Sequence, residues 1–475
     1  MNFDNLNLKG LTEEAEHLFE ELFPICRSIT GNGVRNTLSI LNEVVGFETH
    51  EVKSGTKCYD WSIPNEWNVN DAYVEDSNGK KIIDFKKNNL HLVSYSTAIN
   101  KTLSFNELSQ HLNTLPNLPD AIPYRTSYYN EDWGFCIAHN ELKNFDQTKK
   151  YHVVIDSTLK PGSMTYGEKL INGSSNNEFL FSSYCCHPSL ANDGLSGLIL
   201  WALLLKQLNG KTLKNSYRFV AIPETIGSIY YLSSHETEMK NITGGFVLTC
   251  TAGPSAFSYK KTFLDNHPID KIVIDILENH GEKFSLYPFD INGSDERQYS
   301  APFFRIPIGT ISRDKYFEYS YYHTSKDDLE FVSAENLVKT LQIYLKIIEK
   351  LEEGDMINIK KNEYTNSIIK KKGLCYGSLN PYCEPMLSKR GLYPLKGGMI
   401  KQKMFDIKKT HDERDYSISN QDSISGKDLN QMLWVLFYSD GQTSIQTISE
   451  ITNIPLSKIN EVVKKLEKVK LIKKI

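Results

Sequence analysis

The stretch Ser182-Ser183-Tyr184-Cys185-Cys186-His187-Pro188-Ser189-Leu190-Ala191-Asn192-Asp193-Gly194-Leu195-Ser196-Gly197 concentrates side chains that can do chemistry. It follows an apolar run and leads directly into an apolar helical stretch. A histidine at a strand end, with an aspartate six residues on, can place an imidazole and a carboxylate on one divalent metal. Gly194 and Gly197 would let the backbone turn tightly into the helix and lie close to the ion. The competing reading is a core histidine followed by a helix-capping aspartate.

A second apolar run ends in Pro223-Glu224-Thr225-Ile226-Gly227-Ser228. Glu224 could bind the metal or take a proton from a water, although Pro-Glu is also an ordinary way to begin a helix. The third candidate is His323, within Tyr321-Tyr322-His323-Thr324-Ser325-Lys326-Asp327-Asp328, which alone would read as a structural histidine. Between these lies Gly293-Ser294-Asp295-Glu296-Arg297, where Asp295 and Glu296 fit substrate-amine contacts, partners of the ligands, or solvated loop charges. Three strand-end sites spaced as loops along one sheet edge specify a metal site more strongly together than any does alone.

The elements that must position these groups follow from periodicity. Apolar residues recur at helical spacing from Leu11 to Val45, on either side of Thr30-Gly31-Asn32-Gly33, predicting two opening helices. From about His50 to Phe145, Trp61, Trp67, Tyr73, Phe85 and Leu92 alternate with polar residues around the turn Asp76-Ser77-Asn78-Gly79, predicting a mainly β insert. From Tyr151 short apolar runs, the first at His152 to Ile155, alternate with helical stretches such as Leu198 to Leu208 and Ala334 to Leu351, the pattern of a mixed sheet covered on both faces. Sites in such sheets form where strands end and loops begin. The expected organisation is an α/β unit over 1–50 and 146–355, an inserted β unit over 51–145, a connector over 356–426 and a helix-turn-helix tail, resembling a winged helix, over 427–475.

Bulk properties exclude several classes. The chain has 475 residues, 40% hydrophobic and 24% charged, with a formal net charge of -4, so no global positive field would hold it on nucleic acid or an anionic membrane. No stretch approaches the roughly 20 apolar residues of a membrane helix, and the N-terminus has no signal-like apolar core, so a cytoplasmic location is expected. The eight cysteines lack paired CxxC spacing, which argues against a zinc ribbon and a secreted disulfide framework.

The His187 to Gly197 stretch, Pro223-Glu224-x-x-Gly227-Ser228, Gly293-Ser294-Asp295 and Tyr322-His323-Thr324-Ser325-x-Asp327-Asp328 together resemble the zinc aminopeptidases with co-catalytic metals. More closely, the chain resembles bacterial aminopeptidase-like proteins with an inserted domain and a C-terminal winged helix. That likeness spans nearly the whole chain, including Tyr59 to Trp67 and Asp120 to Tyr129. It implies an α/β aminopeptidase-like fold and zinc held by His187, Asp193 and His323, with Asp193 at the position that bridges two metals in the wider family. Glu224 would be the general base or a further ligand. The chain departs where the family has paired glutamates, here Glu224-Thr225, and where the next ligand aspartate would fall near Thr249 or Cys250, which favours one zinc over two.

The leading expectation is therefore a zinc-dependent hydrolase of small peptides or amides. Tyr322, Glu296 and Arg297 are candidates for substrate or oxyanion contacts, and Arg125 with Tyr128 and Tyr129 for selection by the insert, whose aromatics could equally fill its own core. The alternatives are a deacylase acting on a sugar or another small metabolite, and a metal-dependent regulatory or binding protein with a degenerate site. The tail carries eight lysines against five acidic residues, a modest excess. Nucleic-acid readers usually present a denser basic face, so protein contact or homo-oligomerisation is expected of it, with no membrane or nucleic-acid partner.

Overall fold

A computed structural model of the chain describes residues 3, 5–354, 373–394, 396–398, 400–401, 416–417 and 426–475. The chain opens with α1 (Leu8–Leu22), whose buried Leu11, Ala15, Leu18 and Leu22 form one stripe, and α2 (Asn32–Val45), which buries Val34, Leu38 and Leu41. Asn7 caps α1 by accepting the Gly10 N–H, satisfying one of the donors that a helix start leaves open.

The central sheet has eight strands: β1 (Glu48–Lys53), β2 (Ser163–Ile171), β3 (Glu178–Tyr184), β4 (Ser216–Ile222), β5 (Gly244–Val247), β6 (Phe257–Lys260), β7 (Phe284–Tyr287) and β8 (Ile308–Arg313). Their spatial order is β1-β2-β4-β3-β5-β8-β6-β7. β4, β3, β5 and β8 run parallel, so their carboxyl ends share one edge. Register aligns Phe219, Phe181 and Phe246 across the middle, with ring centroids 5.2 and 5.6 Å apart. α3 (Gly197–Leu208) covers this row and is buried almost throughout, which explains why its sequence is apolar on every side. The remaining cover includes α4 (Ile226–Ser234), α5 (Pro268–His280) and α6 (Ala334–Glu353).

The insert builds its own four-stranded antiparallel sheet from Glu66–Glu75, Lys81–Asp84, Ile99–Ser104 and Lys150–Lys160. The run His152 to Ile155, grouped in sequence with the strands of the large sheet, is the centre of this smaller one, between Glu66–Glu75 and Ile99–Ser104. The reason is visible in its burial: Tyr151, Val153 and Ile155 face a core while the residues between them do not, the alternation of a strand buried on one face.

The tail has the expected helices at Gly426–Tyr438, Ile445–Thr452 and Leu456–Lys468. Its three-stranded sheet takes its middle strand, Cys375–Ser378, from the segment expected to be a connector, flanked by Asp440–Ser444 and Ile472–Lys474. The rest of that expected connector lies partly outside the described residues. Phe289 and Ile291 of the α/β body share a core with Trp434, Leu433 and Phe437, so the first tail helix is packed on its own chain. Among the described residues, no helix is long and apolar enough to cross a membrane.

Candidate metal centre

The loops that leave β3, β4 and β8 at their carboxyl ends carry His187 with Asp193, Glu224 and His323, respectively. One potential ligand atom from each of His187, Asp193 and His323 lies within 4.8 Å of the others. His323 Nε2 is 2.9 Å and His187 Nε2 3.9 Å from Asp193 Oδ2, and Glu224 Oε2 is 3.9 Å from His187 Nε2. The three residues that sequence placed on one metal are therefore brought together, with the expected carboxylate beside them.

Backbone conformation is unusual along this edge. Thr225, Cys250 and His323 have φ of 64°, 53° and 56°, sparsely populated values for residues with a side chain. Such conformations persist where the surroundings over-determine them, commonly at functional sites. Gly194 (φ 94°) lies in the irregular turn before α3, and a Cβ there would come 2.9 Å from the Tyr184 ring. At Gly197 a Cβ would meet the Leu248 carbonyl oxygen at 2.1 Å, so glycine lets the helix start abut the end of β5.

A set of polar contacts aims Asp193. The Tyr184 hydroxyl donates a very short hydrogen bond to Oδ1 and also lies 2.5 Å from Thr249 Oγ1. Asp327, four residues after His323, accepts the Asn192 and Asp193 N–H groups at 2.7 and 2.9 Å and the Tyr319 hydroxyl at 2.8 Å. Oδ2 of Asp193 is buried and close to His323 Nε2, at 2.9 Å, but without the alignment of a good hydrogen bond. A buried carboxylate oxygen left this way costs free energy unless something else satisfies it, and a cation between it and two imidazoles would do so. Arg27 Nε donates to the His187 carbonyl at 2.9 Å, Tyr322 stacks on His323 at 3.9 Å, and Tyr124 packs against both imidazoles.

Electrostatics suit the same group. Burial pulls the His187 imidazole down to about 4, so it is neutral at physiological pH. Burial would raise Asp193, but His187, His323 and Tyr184 outweigh it and hold the carboxyl below its ordinary value. A neutral His187 imidazole and an ionised Asp193 carboxylate suit the donor set of a zinc site. Burial, together with Asp295 and Asp193, pushes Glu224 up to about 8. Asp295, raised by burial to about 6, accepts the Thr225 N–H at 2.8 Å and the Ser228 hydroxyl at 2.7 Å, which fixes the turn that presents Glu224.

The three imidazole and carboxylate side chains His187, Glu224 and His323 open into one cleft. Trp61, Tyr124, Tyr128 and Tyr129 of the insert form part of its lining, whereas Trp67 and Tyr95 pack in a core, so the insert's aromatics divide between the cleft wall and the core. Tyr322 and Arg297 also line the cleft. Glu296 does not: it is fully buried, its carboxylate 3.1 Å from Lys260 Nζ and taking the Thr310 hydroxyl at 2.5 Å, the Tyr316 hydroxyl at 2.8 Å and the Ser294 N–H at 2.8 Å. The expectation of a substrate contact there gives way to an anchor for the 293–296 loop, because a buried lysine needs a buried counter-charge. Arg125 lies outside the lining and donates to the Gly398 carbonyl at 3.1 Å, tying the insert to the C-terminal segment.

Sequence reasoning missed the part played by Glu384, Lys389 and Arg390. Glu384 lines the cleft and accepts Arg297 Nε at 2.7 Å, and its carbonyl accepts Trp61 Nε1 at 2.7 Å. Asp60 pairs with Arg390 and Lys389, each at 2.6 Å. Tyr59-Asp60-Trp61 stands out in sequence, but nothing local joins it to positions more than 300 residues away.

A mixed sheet flanked by helices, with the candidate site at the carboxyl ends of its parallel strands, is an aminopeptidase-like fold, and a winged-helix domain follows it in the chain. The chain belongs to the family described as a domain of unknown function (DUF4910), which matches residues 16–354, and residues 416–474 match a winged helix-turn-helix family. It is 42% identical over 462 residues, 97% of this chain and 96% of the other, to a Clostridium acetobutylicum protein named for polysaccharide biosynthesis and an aminopeptidase-like domain. A crystal structure from the same organism, named as a peptidase, is 39% identical with a TM-score of 0.71 and covers 98% of each chain. The zinc aminopeptidase BSAP of Bacillus subtilis is 14% identical with a TM-score of 0.54, covering 76% of this chain and 98% of that one, a likeness of fold.

Proposed function

We propose that this protein is a zinc-dependent amide hydrolase, with His187, Asp193 and His323 holding one zinc and Glu224 acting as general base. The carrying observation is the convergence of three buried ligand atoms within 4.8 Å beside a carboxylate that opens into the cleft. When bound, zinc supplies Lewis acidity to the amide carbonyl and to the attacking water. Glu224, whose pKa burial and the nearby Asp295 and Asp193 raise above the ordinary carboxylate range, is suited in its ionised form to accept the water proton and then to return it to the leaving nitrogen. The water oxygen forms the new bond to carbon as the C–N bond breaks. Tyr322 and Arg297 are placed in the cleft wall where they can orient the carbonyl and its substituents.

One ion rather than two is supported by the partners of Asp193. Its Oδ1 is engaged by Tyr184, which also holds Thr249, so only Oδ2 is open to a metal. Neither Thr225 nor Thr249 offers a carboxylate that could complete a second zinc site.

The relative named for polysaccharide biosynthesis favours a second reading, removal of an acyl group from an amino sugar, which the same base and metal could perform. Assays of the zinc-loaded protein on aminoacyl anilides and on N-acetylated amino sugars separate the two. Glu224→Gln should retain zinc and lose at least about 100-fold in kcat on whichever series is turned over. Zinc binding without hydrolysis of either series would argue for a metal-dependent binding protein instead.

A further inference from the structure

The first helix of the tail reaches the cleft. Leu429 and Leu433 line it together with Leu387, Tyr393 and Pro394, so a mainly apolar surface from the C-terminal part of the chain borders the same space as His187 and Glu224. Leu433 also lines an adjoining crevice shared with Arg297 and Glu384, which places it beside the ion pair in the cleft wall.

This surface is held firmly. Asn292 Nδ2 donates to Asn430 Oδ1 at 2.7 Å, Arg305 reaches the Phe437 carbonyl at 3.1 Å and Asp440 at 2.9 Å, and Phe289 stacks on Phe437 at 5.0 Å. Two leucines offer no hydrogen bond, so what they discriminate is apolar size. A ligand that sets an amide over the metal ligands and Glu224 must pass its remaining substituent along such walls.

We infer that the winged-helix tail is the specificity wall of this site, and that Leu429 and Leu433 select amides bearing an apolar substituent. The inference rests on the metal centre proposed above, and its test keeps the two separable. The full chain is needed, because the tail shares its core with the body.

The probes are acetohydroxamate and hexanohydroxamate, two metal-binding ligands that differ only in apolar length, titrated calorimetrically into the zinc-loaded protein. The wild type should bind the longer probe more tightly by at least about tenfold, given the transfer free energy of several methylenes. Leu433→Ala removes contact and Leu433→Phe fills the space, so each should reduce that preference by at least about threefold while acetohydroxamate binding stays within about twofold. If Leu433→Ala loosens the fold, as a thermal melt would show, Leu433→Phe still decides. An unchanged preference in the folded variants, or no preference in the wild type, overturns the inference. Failure of both probes to bind the zinc-loaded wild type contradicts the metal centre itself, and the inference with it.

Discussion

Asp193 illustrates how much of a site can be carried by the partners of one side chain. Its main-chain N–H is held by Asp327, its Oδ1 by Tyr184, and only Oδ2 faces the two imidazoles. Groups that orient a ligand commonly matter about 10- to 100-fold in metal affinity, so Tyr184→Phe should weaken zinc binding by that order while the fold persists. A competition titration against a chelating dye measures it, and an unchanged affinity would show that Tyr184 merely fills space. The meeting of His187, Asp193 and His323 was legible in sequence because His187 follows an apolar run, as Glu224 does, and Asp193 and His323 stand in loops on the same sheet edge. Tyr184 and Asp327 were in the same motifs, yet their roles depend on hydrogen bonds across 9 and 134 positions that no local pattern encodes. Glu296 was misread for a related reason: an acidic loop residue looks solvent-facing until Lys260, on another strand, is placed beside it.

At the scale of elements, the turn before α3 is the most constrained piece of backbone in the site. Gly194→Ala forces a side chain into φ 94° and presses a Cβ toward the Tyr184 ring 2.9 Å away. The expected cost is about 1–3 kcal/mol of stability, seen as a lower midpoint in chemical denaturation, with zinc affinity falling in parallel. Loss of stability with zinc affinity intact would mean that the turn does not set the position of Asp193. The parallel strands that converge on this edge were legible as buried apolar runs, and the tail helices as periodic ones. The strand Lys150–Lys160 was not assigned to its sheet, because an apolar run states that a strand is buried but not which neighbour it pairs with.

The whole molecule places one cleft among three parts of the chain: the α/β body supplies His187, Glu224 and His323, the insert an aromatic lining, and the C-terminal segment the remaining wall. Its charged core makes stability depend on pH. Burial lowers His267 from 6.5 to about 4, so the unfolded chain binds more protons there and stability falls as pH drops through that window. For Glu296 burial opposes ionisation, but Lys260, Thr310 and Tyr316 prevail and lower it from 4.5 to about 2, so its contribution is present above 4.5 and lost below. With chelator present, His267→Asn should therefore lose less of its thermal midpoint than the wild type between pH 7 and pH 4, and Glu296→Gln less than the wild type below pH 4.5. Variants whose midpoints follow the wild-type pH profile would contradict the buried placement of these groups.

The most direct test of the central claim is metal content. Protein exchanged against a limited excess of zinc and passed through a desalting column should carry about one zinc per chain by elemental analysis, as a site with three protein ligands predicts. His187→Ala and Asp193→Ala, confirmed as folded, should carry essentially none. A wild type that retains no zinc, or variants that retain as much as the wild type, would contradict the assignment of these residues as a metal centre.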